Sequence, residues 1–469
     1  MTTIELSRWV AAGLFGVLFV LVAATNVHVM FIAPRKLAEG ARGPSPVPMI
    51  GGFFGVIACL TAPDPSARWF AWLPLLLDPG CLLLIGSAWQ ALRREEEQSV
   101  TVSGTPQSED LRHAATGCLL GTAVGDALGL AGEGLSRRRL RRLFPDVSRY
   151  HFFAGKGWCS DDTEHAGMTA QAFLAAQQNR PAPDAAVFAH ALAAKLRWWL
   201  LGLPAGIGLA TGRSIIKLWF GWSPEKSGVP SAGNGPAMRA PILGVLLGHD
   251  PAALAAFIRA STRLTHTDPK AEHGALAVAW AAHCAARARI DTAPFSAPDA
   301  ARALITPLPP AAAELAALIT SAGASVAAGE STEKFATAIG CERGVSGYML
   351  HTVPVALHAA WSHPLDLPTA LGAAIRCGGD TDSVAALVGG IVGARVGRAG
   401  IPAPLLHDLW EWPRSVRWME RLGAMLAATR APNRVAFPLR LNIPGVLARN
   451  VFFLVLVLAH GLRRLLPPW

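Results

Sequence analysis

Two short acidic stretches, more than two hundred residues apart, carry the same chemistry. Ser160-Asp161-Asp162-Thr163-Glu164 sets two adjacent carboxylates between hydroxyls, just ahead of the apolar run Ala166 to Ala175. Gly378-Gly379-Asp380-Thr381-Asp382-Ser383 offers two carboxylates and two hydroxyls and opens a helix-like run from Val384. All of these donors are oxygens, which suits Mg²⁺ or Mn²⁺ rather than Zn²⁺. Carboxylates packed this closely repel one another unless a cation or a proton intervenes. A competing reading of the first stretch is a capping box, because Glu164 follows Asp161 by three residues. A cap needs only one acceptor, and two such elaborate caps in one domain are hard to explain. Aspartates at i and i+2 in an irregular loop can converge on one ion, and the glycines ahead of them allow close backbone approach. Together the stretches could supply four carboxylates, enough to hold a pair of divalent ions.

Two further clusters break the apolar pattern. Gly121 to Gly134, GTAVGDALGLAGEG, has glycines that permit close helix packing and brings Asp126 and Glu133. Locally it reads as a packed helix with an exposed carboxylate beyond its end. Gly233-Asn234-Gly235-Pro236-Ala237-Met238-Arg239 places proline at an expected first helical position after two glycines. Free N–H groups at such a start suit a phosphate, with Arg239 adding charge. An ordinary loop-to-helix junction reads the same way. Thr265-His266-Thr267 is another polar loop, in which a lone histidine is more often structural than catalytic. Ser136 to Phe144, SRRRLRRLF, is either a solvated basic helix face or a contact for anionic headgroups or an acidic partner.

The elements that must position these residues follow from composition. Of 469 residues, 52% are hydrophobic and only 16% charged, against about 25% charged in an ordinary soluble domain. That shortfall, with a mean hydropathy of +0.34, points to membrane segments. The net charge of +10 fits anionic lipid or a phosphate-bearing ligand. No helix-turn-helix, RNP or zinc-finger pattern accompanies it, so no nucleic-acid partner is expected. Seven scattered cysteines without a CxxC argue against a disulfide framework or a structural zinc, and for a reducing cytoplasm.

The chain divides into a membrane region at 1–95 with two or three helices, a polar linker at 96–109, a globular domain at 110–432, and a tail at 433–469. Trp9 to Ala33 is long enough to cross the roughly 30 Å of hydrocarbon. A signal peptide cleaved near Val22-Ala23-Ala24 competes with that reading, but more apolar runs follow. Met49 to Leu60 is short and could be re-entrant, and Trp69 to Leu92 is again long enough. Arg35, Lys36 and Arg42 precede the second run, and Arg93 and Arg94 follow the third. Three spans with an outside N-terminus would put both clusters, and the globular domain, in the cytoplasm. A bacterial inner membrane is the expected location. Val451 to Leu462, flanked by Arg449, Arg463 and Arg464, is shorter than a span needs, leaving a surface-lying helix or a short span open. The globular part is rich in alanine, leucine and glycine. Segments such as Asp184 to Leu201 and Ala271 to Ala288 suit helices, and few runs alternate as strands do. An all-α domain is expected, its site built from loops and helix starts.

In chain order, GDALG with the following Glu133, SDDTE, GNGPAMR, THTDP, GYMLHTVPVALHAAW and GGDTDS resemble the ADP-ribosylglycohydrolase family over roughly residues 110–400. The resemblance implies an all-helical domain holding two Mg²⁺ or Mn²⁺ ions in a cleft. The family's hydroxyl-Asp-Asp motif falls on Ser160, Asp161 and Asp162, and its D-x-D-hydroxyl motif on Asp380, Asp382 and Ser383. Serine replaces the usual threonine at Ser160 and Ser383 and keeps the oxygen. Glu133 matches a glutamate that is a catalytic or gating acid in some members, and Asp162 and Asp380 are the other candidate catalytic carboxylates. Gly233, Asn234, Gly235, Met238 and Arg239 would lie along the diphosphate, with His266 nearby and Tyr348 near the adenine. The loop His151 to Trp158 would border the cleft. The implied reaction is hydrolysis of the bond between C1″ of ADP-ribose and an acceptor, on an ADP-ribosylated protein or a small ADP-ribose conjugate. An inactive ADP-ribose-binding or structural membrane protein of the same fold is the alternative. A transporter has too few spans to support it.

Overall fold

The computed structural model describes residues 3–28, 50–71, 73–79, 106–178, 182–289, 295–430 and 437–464. It separates into two compact units, Met1–Gln98 with Leu441–Arg449 and Ser99–Arg440 with Asn450–Trp469. Among the described residues the secondary structure is helical, and β pairing is confined to isolated bridges.

The larger unit is built around one helix pair. Gly117, Gly121, Gly125 and Gly129 recur every fourth residue along the helix Pro106–Gly129 and so share one face. That face meets the helix Thr381–Val396 backbone to backbone. A Cβ at Gly121 would lie 2.1 Å from the Gly389 carbonyl oxygen, and one at Gly125 would lie 2.1 Å from that of Ala385. In return, a Cβ at Gly389 would lie 1.9 Å from the Gly121 carbonyl oxygen. No side chain fits between the two helices, so the register is fixed by the glycines. Its consequence appears at the far end, where the Thr381 hydroxyl donates to the Gly129 carbonyl at 2.7 Å. Asp126, one turn earlier, is thereby carried alongside Asp382.

Among the described residues, four helices are long and apolar enough to cross a membrane: Glu5–Val27, Pro106–Gly132, Pro310–Ala327 and Ile443–Leu462. The apolar window of Pro106–Gly132 is 100% buried inside the protein, because other helices of its own unit surround it. The expected helices at Asp184 to Leu201 and Ala271 to Ala288 are present as Ala185–Leu201 and Pro269–Arg287. Asp184 and Asp268 cap them by accepting from backbone N–H groups of the first turn.

The C-terminal apolar stretch is longer than Val451 to Leu462. Its helix runs 22 residues, Ile443–Arg464, or about 33 Å at 1.5 Å per residue. From Asn450 onward its inner face packs on its own unit. Phe453 is buried among Leu130, Trp158 and Ala205, and the Asn450 amide donates to the Gly202 carbonyl at 2.8 Å.

In the smaller unit, the helix Thr3–Val27 has 25 residues and starts before Trp9; residues 29–33 of the expected run lie outside the described residues. The helix Ile50–Thr61 has 12 residues, or about 18 Å, and the residues before it lie outside the described ones. Arg8 donates to the Thr61 and Ala62 carbonyls, and Asp78 accepts from the Asn26 amide at 2.8 Å and from Gly52 N–H at 2.9 Å. The run expected from Trp69 does not begin as one helix. A 3₁₀ turn, Pro65–Phe70, is followed by the short helix Leu73–Leu77, with Pro74 in its first turn. The remainder of that run, most of the linker, and the charges Arg35, Lys36, Arg42, Arg93 and Arg94 lie outside the described residues.

Candidate active site

The first acidic stretch starts the helix Asp161–Gln177, with Ser160 as its N-cap. The Ser160 hydroxyl accepts from the Asp162 N–H at 3.4 Å, a long bond. The stronger clamp is distant in sequence. Asp126 accepts from Ser160 N–H at 2.9 Å, from Thr163 N–H at 3.1 Å and from the Thr163 hydroxyl at 2.5 Å. The capping-box reading fails on Glu164, which turns away from the helix start. It accepts from Arg414 at 2.5 Å and from the Trp199 indole at 2.5 Å, all three side chains buried. A buried, fully bonded ion pair of this kind fixes the helix beneath the acidic turn.

The second stretch is held by its backbone. Gly378 and Gly379 take φ of 68° and 82°, the left-handed region in which glycine alone is unstrained. A Cβ at Gly379 would lie 2.0 Å from the Val345 carbonyl oxygen. Gly379 exchanges bonds with Leu135 and Gly134 on one side, and Asp380 N–H donates to Val345 on the other at 2.8 Å. Asp380 occupies the N-cap position of Thr381–Val396 without capping it. Its carboxylate instead accepts from the Asn234 amide at 2.7 Å.

The two stretches meet. The Ser383 hydroxyl donates to Asp162 Oδ2 at 3.1 Å, across 221 residues of sequence. Asp126, Asp162 and Asp382 each present a carboxylate oxygen within 4.8 Å of the others, and all three are buried. Burial, then neighbouring carboxylates, pushes the Asp161, Asp162 and Asp382 carboxyls well above the usual carboxylate range. Burial also raises Asp126 to about 6, against the pull of its hydrogen bonds. Asp162 Oδ1 and Asp382 Oδ1 are buried with no hydrogen-bond partner. Orphaned, mutually repelling carboxylate oxygens fit a hard divalent cation, which would supply both the missing partner and the charge. Asp126 already accepts three N–H or O–H donors, so its oxygens serve the Ser160–Thr163 turn rather than an ion.

Asp161, Asp380, Asp382, Ser383 and Glu133 line one side of a cavity of about 380 Å³, and Gly233, Asn234, Gly235, Met238 and His266 line another. Glu133 is exposed at the rim, beyond the end of its packed helix. Burial, then Arg239, pushes His266 down to about 3, so the imidazole is neutral and its Nδ1 pairs with the Thr265 hydroxyl at 2.8 Å.

Three expectations are corrected. Arg239 is 1% exposed, does not line the cavity and donates to the Thr265 hydroxyl at 2.6 Å; it braces the His266 loop from beneath. Its segment is a 3₁₀ turn, Ala237–Arg239, and the α-helix starts only at Ala240. Tyr348 sits beside Gly233 through a backbone bridge, but its hydroxyl accepts from Lys270 at 2.8 Å and its ring lies outside the cavity lining. The loop His151 to Trp158 is likewise absent from that lining. Phe152 and Trp158 pack on the C-terminal helix instead, with ring centroids 5.6 Å and 6.3 Å from that of Phe453.

Sequence reasoning passed over Asp126 as a site residue and missed the segment Gly206 to Thr211, which forms a third wall. Gly206 has φ of 85°, and a Cβ there would lie 2.9 Å from Asp161 Oδ1. The one available signal was the density of small residues in PAGIGLATG, which leaves room for close backbone approach.

A family model described as ADP-ribosylglycohydrolase matches residues 107–435. An uncharacterized protein of Archaeoglobus fulgidus is 30% identical over 283 residues, spanning 59% of this chain and 86% of its own. An ADP-ribosylarginine hydrolase of Serratia proteamaculans is 28% identical over 344 residues, spanning 68% of this chain and 81% of its own. An ADP-ribosyl-dinitrogen reductase glycohydrolase of Rhodospirillum rubrum is 29% identical over 178 residues, spanning 36% of this chain and 56% of its own. Among solved structures, a chain from an ADP-ribosylglycohydrolase-related protein complex aligns with 68% of this chain and 99% of its own, at 26% identity and a TM-score of 0.49.

Proposed function

This chain belongs to the ADP-ribosylglycohydrolase family, and from that premise we propose that it frees ADP-ribose from an acceptor at a centre of two divalent cations. Hydrolysis of glycosidic bonds to ADP-ribose is the activity of the family and of this chain. The cation centre is supported above all by the two orphaned oxygens, Asp162 Oδ1 and Asp382 Oδ1, in loops already joined through Ser383. Ser160, Asp161, Asp162, Asp380, Asp382 and Ser383 would hold two Mg²⁺ or Mn²⁺ ions. Bound there, the ions would supply Lewis acidity and a more acidic bound water.

The chain's own residues do the rest. Asn234 fixes the Asp380 carboxylate at 2.7 Å, which keeps the second loop aimed into the cavity. The backbone of Gly233 to Gly235 offers close approach for a diphosphate, and Met238 and His266 close that side without charge. The distal ribose sits against the carboxylates with C1″ toward Glu133. As the bond from C1″ to the acceptor breaks, an oxocarbenium-like state develops and water adds to C1″. The acceptor leaves with a proton, and a carboxylate exchanges that proton with water or leaving group. Glu133 at the rim is the proposed partner in this exchange, with Asp162 and Asp380 as the other candidate carboxylates.

Relatives that act on ADP-ribosylarginine and on ADP-ribosylated dinitrogen reductase support an ADP-ribosylated protein, or a small ADP-ribose conjugate, as substrate here. Residues 1–95 and the tail from 433 would hold the enzyme at a bacterial inner membrane, with 96–109 as linker and 110–432 as the catalytic domain in the cytoplasm. The test uses the full chain with Mg²⁺ or Mn²⁺ and peptides ADP-ribosylated on arginine or serine. Asp161→Ala and Asp382→Ala should each abolish most metal binding and most release of ADP-ribose. Unchanged turnover in both variants ends the two-cation assignment. Bound metal and bound ADP-ribose with no release on any linkage would leave a binding protein.

A further inference from the structure

We propose that the catalytic domain has a lipid-docking face of its own, and that this face continues into one wall of the active-site cleft. It rests on the reading that the chain is held at a bilayer, and not on the chemistry of the cleft. Scattered exposed apolar side chains are ordinary on a protein surface. A cluster of large ones is not. The helix Ala185–Leu201, the turn after it and the helix Leu209–Trp219 expose Trp198 at 69%, Leu203 at 50%, Leu209 at 71% and, just beyond, Phe220 at 82% and Trp222 at 51%.

These side chains belong to two helices that pack together, the turn that joins them and the residues just beyond. The rings of Trp198 and Trp219 meet edge to face with centroids 5.9 Å apart. The Asn450 amide, bonded to Gly202, brings the C-terminal helix to the same edge. That helix buries Asn450 and Phe453 and turns Val455, Leu458 and Leu462 outward, at the three- and four-residue steps of a single helical face. The outward face is apolar although the inward one already packs on protein. A helix so docked along one side lies against its domain, and its free side needs a second apolar medium.

The charges name that medium. From Arg197 to Trp222 the sequence contains no acidic residue and three basic ones, Arg197, Arg213 and Lys217. Lys217 Nζ lies 4.4 Å from the centre of the Trp222 ring. Tryptophan and phenylalanine interleaved with basic side chains are the composition of an interface between hydrocarbon and anionic headgroups. The same chain carries the helix Glu5–Val27, with mean hydropathy 2.2 and 6% of its apolar window buried, which brings a bilayer to the domain.

The cleft shares this face. Gly206, Gly208, Leu209 and Thr211 line the cavity, and a Cβ at Gly206 would lie 2.9 Å from Asp161 Oδ1. Leu203 and Leu209 turn outward from the same short segment. A bilayer that takes up those leucines positions the wall over Asp161 and presents the cleft to substrates carried at the membrane surface.

The test uses the full chain in vesicles of phosphatidylethanolamine and phosphatidylglycerol that include a phospholipid with a photoreactive acyl chain. Adducts are mapped by mass spectrometry. Adducts are expected within Thr3–Val27 and also within Trp198–Leu209 and Trp219–Trp222. The double variant Trp198→Ser with Phe220→Ser should lose the second group severalfold and keep the first, while its turnover of a soluble ADP-ribose conjugate in detergent stays at the parental level. Adducts in Thr3–Val27 with none between Trp198 and Trp222 would overturn the docking face alone. Cross-links between two copies of the chain through this surface would do the same, by making it a self-interface. Absence of adducts throughout would remove both the anchoring and the face.

Discussion

The two acidic loops look alike in sequence and are held by different physics. Ser160–Thr163 is gripped by a side chain: Asp126 gathers two backbone N–H groups and a hydroxyl from a separate helix. Gly378–Asp380 is gripped by main chain, between the carbonyls of Leu135 and Val345, in a conformation that requires glycine. The first loop can therefore be loosened by removing a charge, and the backbone of the second by adding an atom. Both depend on the glycine-faced helix pair, which sets Asp126 and Asp382 side by side.

This comparison can be broken at its shared base. Gly121→Leu places a side chain where the Gly389 carbonyl stands 2.1 Å from a Cβ, and overpacking against backbone should cost more than about 3 kcal/mol. Thermal melting by circular dichroism should show the domain largely unfolded at a temperature where the parent is intact; a near-parental melting point would refute the account of the helix pair. Next in size, Asp126→Ala leaves Ser160 N–H, Thr163 N–H and the Thr163 hydroxyl without their acceptor, at about 1–3 kcal/mol for each unpaired buried group. Cation affinity by calorimetry should fall about 10–100-fold, as when an outer-shell partner is lost. Gly379→Ala should lower cation affinity comparably through the other loop. If only one of the two variants weakens binding, the loops do not share a centre.

The third prediction sharpens the electrostatics. Burial and neighbouring carboxylates raise Asp162 well above the usual range, so its ionised form opposes folding at neutral pH when no cation is bound. Asp162→Asn should therefore melt higher than the parent in chelator, and should gain less than the parent from added Mg²⁺. A variant less stable than the parent in chelator would contradict the repulsion argument. The smallest effect concerns His266, lowered from 6.5 to about 3. Between these values the unfolded chain binds a proton that the native chain does not, so stability falls as pH drops below about 6.5. The parent should lose more stability than His266→Gln from pH 7 to pH 5, by roughly 1.4 kcal/mol per unit at most. Parallel curves would place His266 in contact with water.

Much of this was legible in the residues. The acidic pairs, the glycines beside them and the helical class are local features, because a turn or a helix face is decided by neighbours within a few positions. What escaped was direction and partnership. Arg239 follows a glycine-rich turn as a phosphate-binding arginine would, yet burial turns it inward to Thr265. Asp126, inside an apolar helix, shows nothing in its neighbours that marks it as the clamp of a loop 34 residues away. Glu164 reads as half of a capping box until Arg414, 250 residues on, claims it.

Hydropathy has the same boundary. Pro106–Gly132 and Glu5–Val27 both pass as membrane spans on length and composition, but one is 100% buried in protein and the other 6%. A sequence records how strongly a segment avoids water. Which medium replaces the water, lipid or the backbone of another helix, is decided only when the rest of the chain packs around it.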